Sequence, residues 1–325
     1  MNYQLLQGDC IEVMRTLPAG SVQCCVTSPP YFGLRAYLDN ADPNKPLEVG
    51  TEETPDAYVA KLVDVFREVR RLLRDDGVLW LNLGDSYANT GNPGQDFSAS
   101  TVGYGGKGRG HLGGQPKKII PTGIKQKDLF GIPWLVAFAL RADGWWLRSE
   151  VIWAKKAPMP ESVTDRPTKA HEQVFLLTKS ANYFYDADAI AEPAQVWTGQ
   201  AATFARSGPV SDHILPGQSA AQHRSDRTDS VTASTRNRRS VWSLGPESYQ
   251  GAHFATMPTK LVEPCILAGS RVGDTVLDPF AGSGTTVAVA LKHGRRGLGI
   301  DLNPAYIELA HERIRRTQPM LLAAD

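Results

Sequence analysis

Cysteine is scarce in this sequence, with Cys10, Cys24, Cys25 and Cys265 the only 4 among 325 residues. An adjacent pair plus two distant residues matches neither a zinc-ligand spacing nor a secreted disulfide framework, so no metal is expected and a reducing cytoplasm is. Long apolar runs are lacking as well. The longest, Ile132 to Leu140, is far too short to span a bilayer, and the start MNYQLLQGDC has no basic segment leading into an apolar one. A cytoplasmic protein with no membrane partner is therefore expected. Excess charge of either sign is also missing, since 35 Lys+Arg against 34 Asp+Glu leave +1. Taken whole, that total argues against a nucleic-acid partner, because duplex DNA is bound largely through phosphate neutralisation. There is no internal repeat. What is present is apolar matter: 42% hydrophobic residues exclude general disorder and suffice for one large α/β domain with an insertion, or for two small domains.

The order of elements favours the former. Residues 3–8 and 21–27 read as short buried strands, the second running into Ser28-Pro29-Pro30-Tyr31, where paired prolines must end it. A helix follows from Pro55 to Arg74, with Tyr58, Leu62, Val65, Phe66, Val69 and Leu72 at helical spacing, closed by Asp75-Asp76-Gly77 before a strand over 78–85. Strand, helix, strand is the signature of a parallel sheet. After a long Gly-, Ser- and Asn-rich stretch, a helix is predicted over 133–142, then two strands of a hairpin-like pair (WWLRSEVIWAKK and HEQVFLLTKSANYFY). Beyond a second irregular stretch, the pattern gives a helix over 258–269 despite Pro264, a strand ending in DPF, a helix over 285–293, the strand RGLGID, and a closing helix capped by Asn303.

Two turns carry chemistry. Asp278-Pro279-Phe280-Ala281-Gly282-Ser283-Gly284-Thr285 joins a strand to a helix, where glycines allow close backbone approach and the helix start offers free N–H groups. The next strand ends at Asp301, placed to accept hydrogen bonds from ribose hydroxyls. The turn has no lysine for a phosphate loop and lacks the third glycine of a dinucleotide fingerprint. A nucleoside cofactor without pyrophosphate, S-adenosylmethionine, fits better.

The second turn is Ser28-Pro29-Pro30-Tyr31. An exocyclic amino group is a poor nucleophile, and an enzyme that methylates it must hydrogen-bond both amino hydrogens and aim the nitrogen lone pair. Ser28 Oγ can accept one hydrogen and the Pro29 carbonyl the other, while the prolines contribute no competing N–H and Tyr31 offers a face on which a flipped base can stack.

Val26-Thr27-Ser28-Pro29-Pro30-Tyr31 near the start, with the Asp278–Thr285 turn near the end, resembles the β-class DNA amino-methyltransferases. The resemblance covers most of the chain. It implies an α/β, doubly wound mixed sheet of Rossmann-like methyltransferase type with one antiparallel strand, circularly permuted motif order, and an inserted target-recognition region. It further implies S-adenosylmethionine as cofactor, Ser28, Pro29, Pro30 and Tyr31 as the catalytic turn, and Asp9 and Cys10 (in Gly8-Asp9-Cys10) at the adenine. His253 and Phe254 belong to a segment over the methionine end. Asp278, Phe280, Gly282, Ser283, Gly284, Thr285 and Asp301 complete the cofactor site. Tyr183 or Tyr185 would lie near the target base. Serine at the first catalytic position leans towards cytosine N4 over adenine N6, the family using both. RNA or protein-glutamine methyl transfer and a catalytically silent DNA-binding regulator are the alternatives, the first disfavoured by the motif order and the second by intact Ser28 and Asp278.

Double-stranded DNA then requires basic surface, which the distribution of charge supplies. Residues 86–127 carry +5, including Lys107, Arg109, Lys117 and Lys118, and residues 195–240 carry +3, including Arg236, Arg238 and Arg239; the remainder is −7. The lysine-rich loop suits phosphate clamping and the arginine-rich segment suits base reading. The expected division is a catalytic domain over 1–194 and 245–325, a target-recognition region over 195–244, and a DNA-contacting loop over 86–127; a homodimer is admitted. Three motifs are decoys. Pro264-Cys265 lies within a helix and reads as core, His171-Glu172 has no second histidine for zinc, and Trp145, Trp146 and Trp153 read as core.

Overall fold

Residues 2–34, 36–39, 41–88, 123–158, 160–194, 234–245 and 257–317 are described by the computed structural model. In chain order the strands and helices are β1 (Tyr3–Gln7), α1 (Cys10–Arg15), β2 (Val22–Thr27), α2 (Pro55–Leu72), β3 (Leu73–Leu83), α3 (Ile132–Ala142), β4 (Trp146–Lys155), β5 (His171–Thr178), β6 (Glu192–Pro193), β7 (Thr235–Arg236), β8 (Val241–Leu244), α4 (Thr259–Gly269), β9 (Thr275–Asp278), α5 (Thr285–Lys292), β10 (Arg296–Asp301) and α6 (Pro304–Thr317).

Eight strands form one sheet in the order β1-β10-β9-β2-β3-β5-β4-β8, and β6 pairs with β7 separately. Within the main sheet β5 alone runs against its neighbours, antiparallel to both β3 and β4. Alternation along the strands separates two cores. Cys25, Leu79, Leu81 and Leu83 face α1, α2 and α3, packing with Met14, Tyr58, Phe66 and Val136. Cys24, Val26, Val78 and Trp80 face the opposite way, against α4 and α5 through Leu261, Ile266 and Val289. The adjacent cysteines therefore point to opposite faces, as the two-residue period of a strand dictates, and all four cysteines are buried and free. Helices on both faces of a largely parallel sheet make the domain doubly wound, as expected.

Most predicted elements recur with ends shifted by a residue or two. Two differences are more than a shift. The strand read over HEQVFLLTKSANYFY ends at Thr178. In addition, α2 stops at Leu72 and Leu73 is already extended at its end. Leu72 and Leu73 are both fully buried, so the chain enters the sheet without a turn. Asp75-Asp76-Gly77 lies instead in an irregularity of β3, between the pairs Val22–Leu73 and Cys24–Val78. Of the tryptophans, Trp145 and Trp153 are core, but Trp146 is 49% exposed. Trp146 opens β4 next to Trp145, and strand alternation turns successive side chains to opposite sides. Cys265 is core within α4, as read.

The strand order reverses between β9 and β2. The chain leaves β9 through α5 towards β10, and leaves β2 through α2 on the other face towards β3. Loops that follow the two strands are therefore neighbours at the sheet's carboxyl edge, where such folds bind ligands. No described helix is long and apolar enough to cross a membrane.

Candidate active site

Thr27, the last residue of β2, and Asp278, the last of β9, join the two turns directly: Thr27 Oγ1 donates to Asp278 Oδ1 at 2.7 Å. The same carboxylate oxygen accepts from Phe280 N at 3.1 Å. Asp278 is 2% exposed, and burial pushes its pKa from 3.8 up to about 6. Asp301, ending β10, accepts from Gly282 N at 2.8 Å and Asn303 N at 2.9 Å, and burial likewise raises it to about 6. One carboxylate thus shapes the start of the glycine turn and the other holds its middle. Gly284 adopts φ +74°, and a Cβ there would lie 2.8 Å from Ala310 Cβ, so glycine lets α6 close over the turn.

A cleft of about 900 Å³, counting its open mouth, runs along this edge. Its wall brings together Asp9, Cys10, Ser28, Pro30, Asp278, Phe280, Gly282, Ser283, Thr285 and Asp301. The permuted halves of the sequence thus meet in one concavity. Asp9 also caps α1, accepting from Ile11 N and Glu12 N at 3.0 Å each. Ser283 and Thr285 are buried, and both hydroxyls accept from Arg313 Nη1 at 2.9 and 2.6 Å, so a cofactor would meet this part of the turn through its backbone.

Sequence reading missed several wall residues, namely Tyr37, Leu38, Glu48, Val49, Asn303 and Tyr306. Tyr37 and Tyr306 meet edge to face at 6.2 Å, and Asn303 Nδ2 donates to the Tyr37 carbonyl at 3.3 Å. The buried Glu48 accepts from Tyr37 N and from Lys45 Nζ. Except for Asn303 and Tyr306, these residues come from the irregular stretch between β2 and α2, where no periodicity marks a side chain as inward.

The lining contains the carboxylates of Asp9, Glu48, Asp278 and Asp301 and, among the described residues, no lysine or arginine. An anionic phosphate chain would meet repulsion there, whereas a cationic nucleoside would be attracted.

The catalytic turn is held from behind. Tyr58 Oη donates to the Pro30 carbonyl at 2.9 Å. Among the described residues nothing donates to the Pro29 carbonyl, which leaves it available as an acceptor. Tyr31 packs against Gly84, where a Cβ would come 2.4 Å from Tyr31 Cε2. Its hydroxyl donates to Glu172 Oε2 at 2.7 Å and accepts from Ser28 Oγ at 3.2 Å. Burial, first, and the neighbouring Glu172 hold the Tyr31 phenol well above its ordinary pKa, so it stays protonated. Glu172, set aside in the sequence for want of a second histidine, belongs to this network. Sequence reading missed one signal for it: Asn82, the polar residue in the apolar run 78–83 of β3, is 2% exposed and donates to Glu172 Oε2 at 3.1 Å.

Other predicted residues stand elsewhere. Tyr183 and Tyr185 lie at the opposite edge of the sheet, correcting the expectation that one approaches the target base. Antiparallel β5 begins opposite Leu83, beside the catalytic turn, and ends opposite Val78, so the segment after it leaves at the far edge, where Phe184 N donates to Asp76 O at 2.9 Å. Arg238 shares a hollow with Tyr183, Tyr185 and Arg148 near the start of β4, and its guanidinium lies 4.7 Å from the Trp242 ring centre. Arg236 and Arg239 both pair with Glu192, at 2.9 and 2.6 Å. These arginines precede β8, whose Leu244 end pairs with Lys155 towards the catalytic edge, so the structure does not bring them to Ser28. His253, Phe254, Lys107, Arg109, Lys117 and Lys118 lie outside the described residues.

A doubly wound sheet with a carboxylate-lined cleft at its switch point and a proline turn beside it defines a Rossmann-like methyltransferase fold. Comparison with known proteins gives the narrower assignment. Residues 22–312 match the N6/N4 methyltransferase family described as DNA methylase. The chain is 41% identical over 312 residues to the type II methyltransferase M.Cfr9I of Citrobacter freundii, covering 96% of this chain and 87% of that protein. It is 42% identical over 313 residues to M.SmaI of Serratia marcescens, covering 96% and 91%. Among solved structures, the cytosine-N4-specific PvuII DNA methyltransferase superposes with a TM-score of 0.60 at 17% identity, covering 100% of this chain and 94% of that one. A Thermus thermophilus protein in complex with S-adenosyl-L-methionine gives 0.58 at 24% identity, covering 98% and 95%. The chain belongs to the DNA methylase family of N6- and N4-amino-methyltransferases.

Proposed function

We propose that this chain methylates the exocyclic amino group of a base flipped out of duplex DNA, using S-adenosylmethionine, with cytosine N4 as the target. The observation that carries the cofactor is the cleft itself: four carboxylates, no described cation, and a path from Asp301 to Ser28. It suits a nucleoside bearing a positive sulfonium and no phosphate. Asp301 would hold the ribose hydroxyls, the Gly8–Cys10 turn with Tyr37 and Tyr306 the adenine, and the Phe280–Gly284 backbone the methionine end. When bound, the sulfonium supplies an electrophilic methyl group.

The chain's own residues do the rest. Ser28 Oγ and the Pro29 carbonyl accept the two amino hydrogens and draw the nitrogen towards tetrahedral geometry, so that its lone pair faces the cleft. Tyr31 offers a ring face to the extruded base, offsetting part of the unstacking cost. No covalent bond to the enzyme is required, and the surplus proton leaves to water after transfer. Cytosine is favoured by serine at the first catalytic position.

The test is transfer of tritium from labelled S-adenosylmethionine to duplex DNA, RNA or protein presented in parallel. Label is expected in DNA alone and absent with Ser28→Ala. Label in RNA or protein instead would overturn the substrate, and no transfer to any of them would support a silent regulator.

A further inference from the structure

Behind the catalytic turn lies a polar chain that the methyl-transfer chemistry described above does not use. Glu172 stands near the start of β5 and is largely buried, its side chain 13% exposed. Its Oε1 accepts from Lys155 Nζ, and its Oε2 from Tyr31 Oη at 2.7 Å and Asn82 Nδ2 at 3.1 Å. Asn82 Nδ2 is further fixed by the Gln173 carbonyl at 3.2 Å. Burying a carboxylate costs several kcal/mol unless it is paired, and here one ammonium and two polar donors offset that cost.

The direction of each bond follows from the donors available. A carboxylate held by an ammonium accepts only. Tyr31 has one proton, and Glu172 Oε2 at 2.7 Å is much the better acceptor than Asn82 Oδ1 at 3.4 Å. With that proton committed, the Tyr31 oxygen faces Ser28 with lone pairs, and Ser28 donates its single proton to it at 3.2 Å. Only lone pairs of Ser28 Oγ are then left for anything on the open side. A hydroxyl free to rotate would instead spend part of its time pointing its own hydrogen at the substrate's N–H, which repels.

We infer that Glu172, acting through Tyr31, is a positioning residue that fixes the polarity of the Ser28 hydroxyl, so that Ser28 meets the amino group as an acceptor only. The inference rests on the amino-methylation reading above. In Glu172→Gln, Lys155 holds the amide oxygen and the amide NH₂ turns to Tyr31. The Tyr31 proton then points to Ser28 and the Ser28 proton points outward, reversing the chain. In Tyr31→Phe the Ser28 proton has no assigned acceptor.

The experiment is single-turnover methylation of duplex DNA by the wild type, Glu172→Gln, Tyr31→Phe and the double variant, with S-adenosylmethionine affinity measured by calorimetry. Each single variant is expected to react about a hundredfold more slowly, as for loss of one well-aimed transition-state hydrogen bond. Cofactor and duplex affinities should stay within roughly threefold of wild type, because the lost interaction acts on the chemical step. The double variant should be no slower than Tyr31→Phe alone, since both changes break one chain. A wild-type rate in either single variant, or losses that multiply in the double, would overturn the inference. Should Glu172→Gln fail to bind cofactor, Tyr31→Phe, which removes a single oxygen, decides by its rate alone. A wild-type protein that leaves DNA amino groups unmethylated overturns the functional reading, and this inference with it.

Discussion

Asp278 and Asp301 each carry a pKa raised from 3.8 to about 6, because burial penalises the charged form. Each binds its proton more tightly in the folded state than in the unfolded one. Their contribution to stability is therefore fully present below about pH 4 and is lost as pH rises through 6. Asp278→Asn, which cannot ionise, should gain stability relative to wild type as pH rises across that window, measured by urea unfolding of the cofactor-free protein; a difference independent of pH would contradict the assignment. Cofactor affinity should move the other way, weakening as pH falls below 6, because protonated Asp301 loses an acceptor and its negative charge. Gly84 gives a second prediction at this scale. A methyl group 2.4 Å from the Tyr31 ring forces that ring off its anchor at Glu172. Gly84→Ala should accordingly lower the methylation rate about tenfold or more while cofactor titration remains normal.

The elements were legible where a single pattern governs them. The glycine turn between β9 and α5, the apolar helical spacing of α2, and Asn303 capping α6, with Ala305 N donating to its Oδ1 at 2.9 Å, follow from local rules. The sequence also marked Ser28 and Asp278 as partners, through the chemistry each turn can perform. What local rules do not carry is the direction of a strand. Antiparallel β5 sends Tyr183 and Tyr185, which the family resemblance places at the target base, to the far edge, and brings Glu172, which the zinc spacing leaves without a role, beside Tyr31. Nor do they place residues between β2 and α2, where Tyr37 and Glu48 enter the cleft wall from irregular backbone. Contact between α5, its turn and α6 can be tested in turn. Gly284→Ala combines a left-handed backbone with a Cβ 2.8 Å from Ala310, and should cost roughly 1–3 kcal/mol in chemical denaturation. An unchanged midpoint would mean that α6 does not press on the turn as described.

For the whole molecule, the net charge of +1 conceals a basic segment over 86–127 (+5), another over 195–240 (+3) and an acidic remainder (−7). The acidic share includes the four carboxylates that line the cleft. We propose that the lysine-rich segment grips the DNA backbone. Replacing Lys107, Arg109, Lys117 and Lys118 with alanine should then flatten the dependence of log affinity on log salt by about 3 to 4, near 0.9 for each phosphate no longer neutralised, for cognate and unrelated duplexes alike. Arg236 and Arg239 share Glu192 and stand away from the catalytic edge, so their replacement tests target recognition separately, through the pattern of methylated sites.

The central proposal is that Ser28 and Pro29 receive the amino group of a base beside the cofactor cleft. The most direct measurement is nucleoside mass spectrometry of DNA from a methylation-free host expressing the wild type or Ser28→Ala. N4-methylcytosine should accumulate with the wild type and be missing with the variant. N6-methyladenine in its place would correct the target base, and the absence of both methylated amino bases from wild-type DNA would contradict the account.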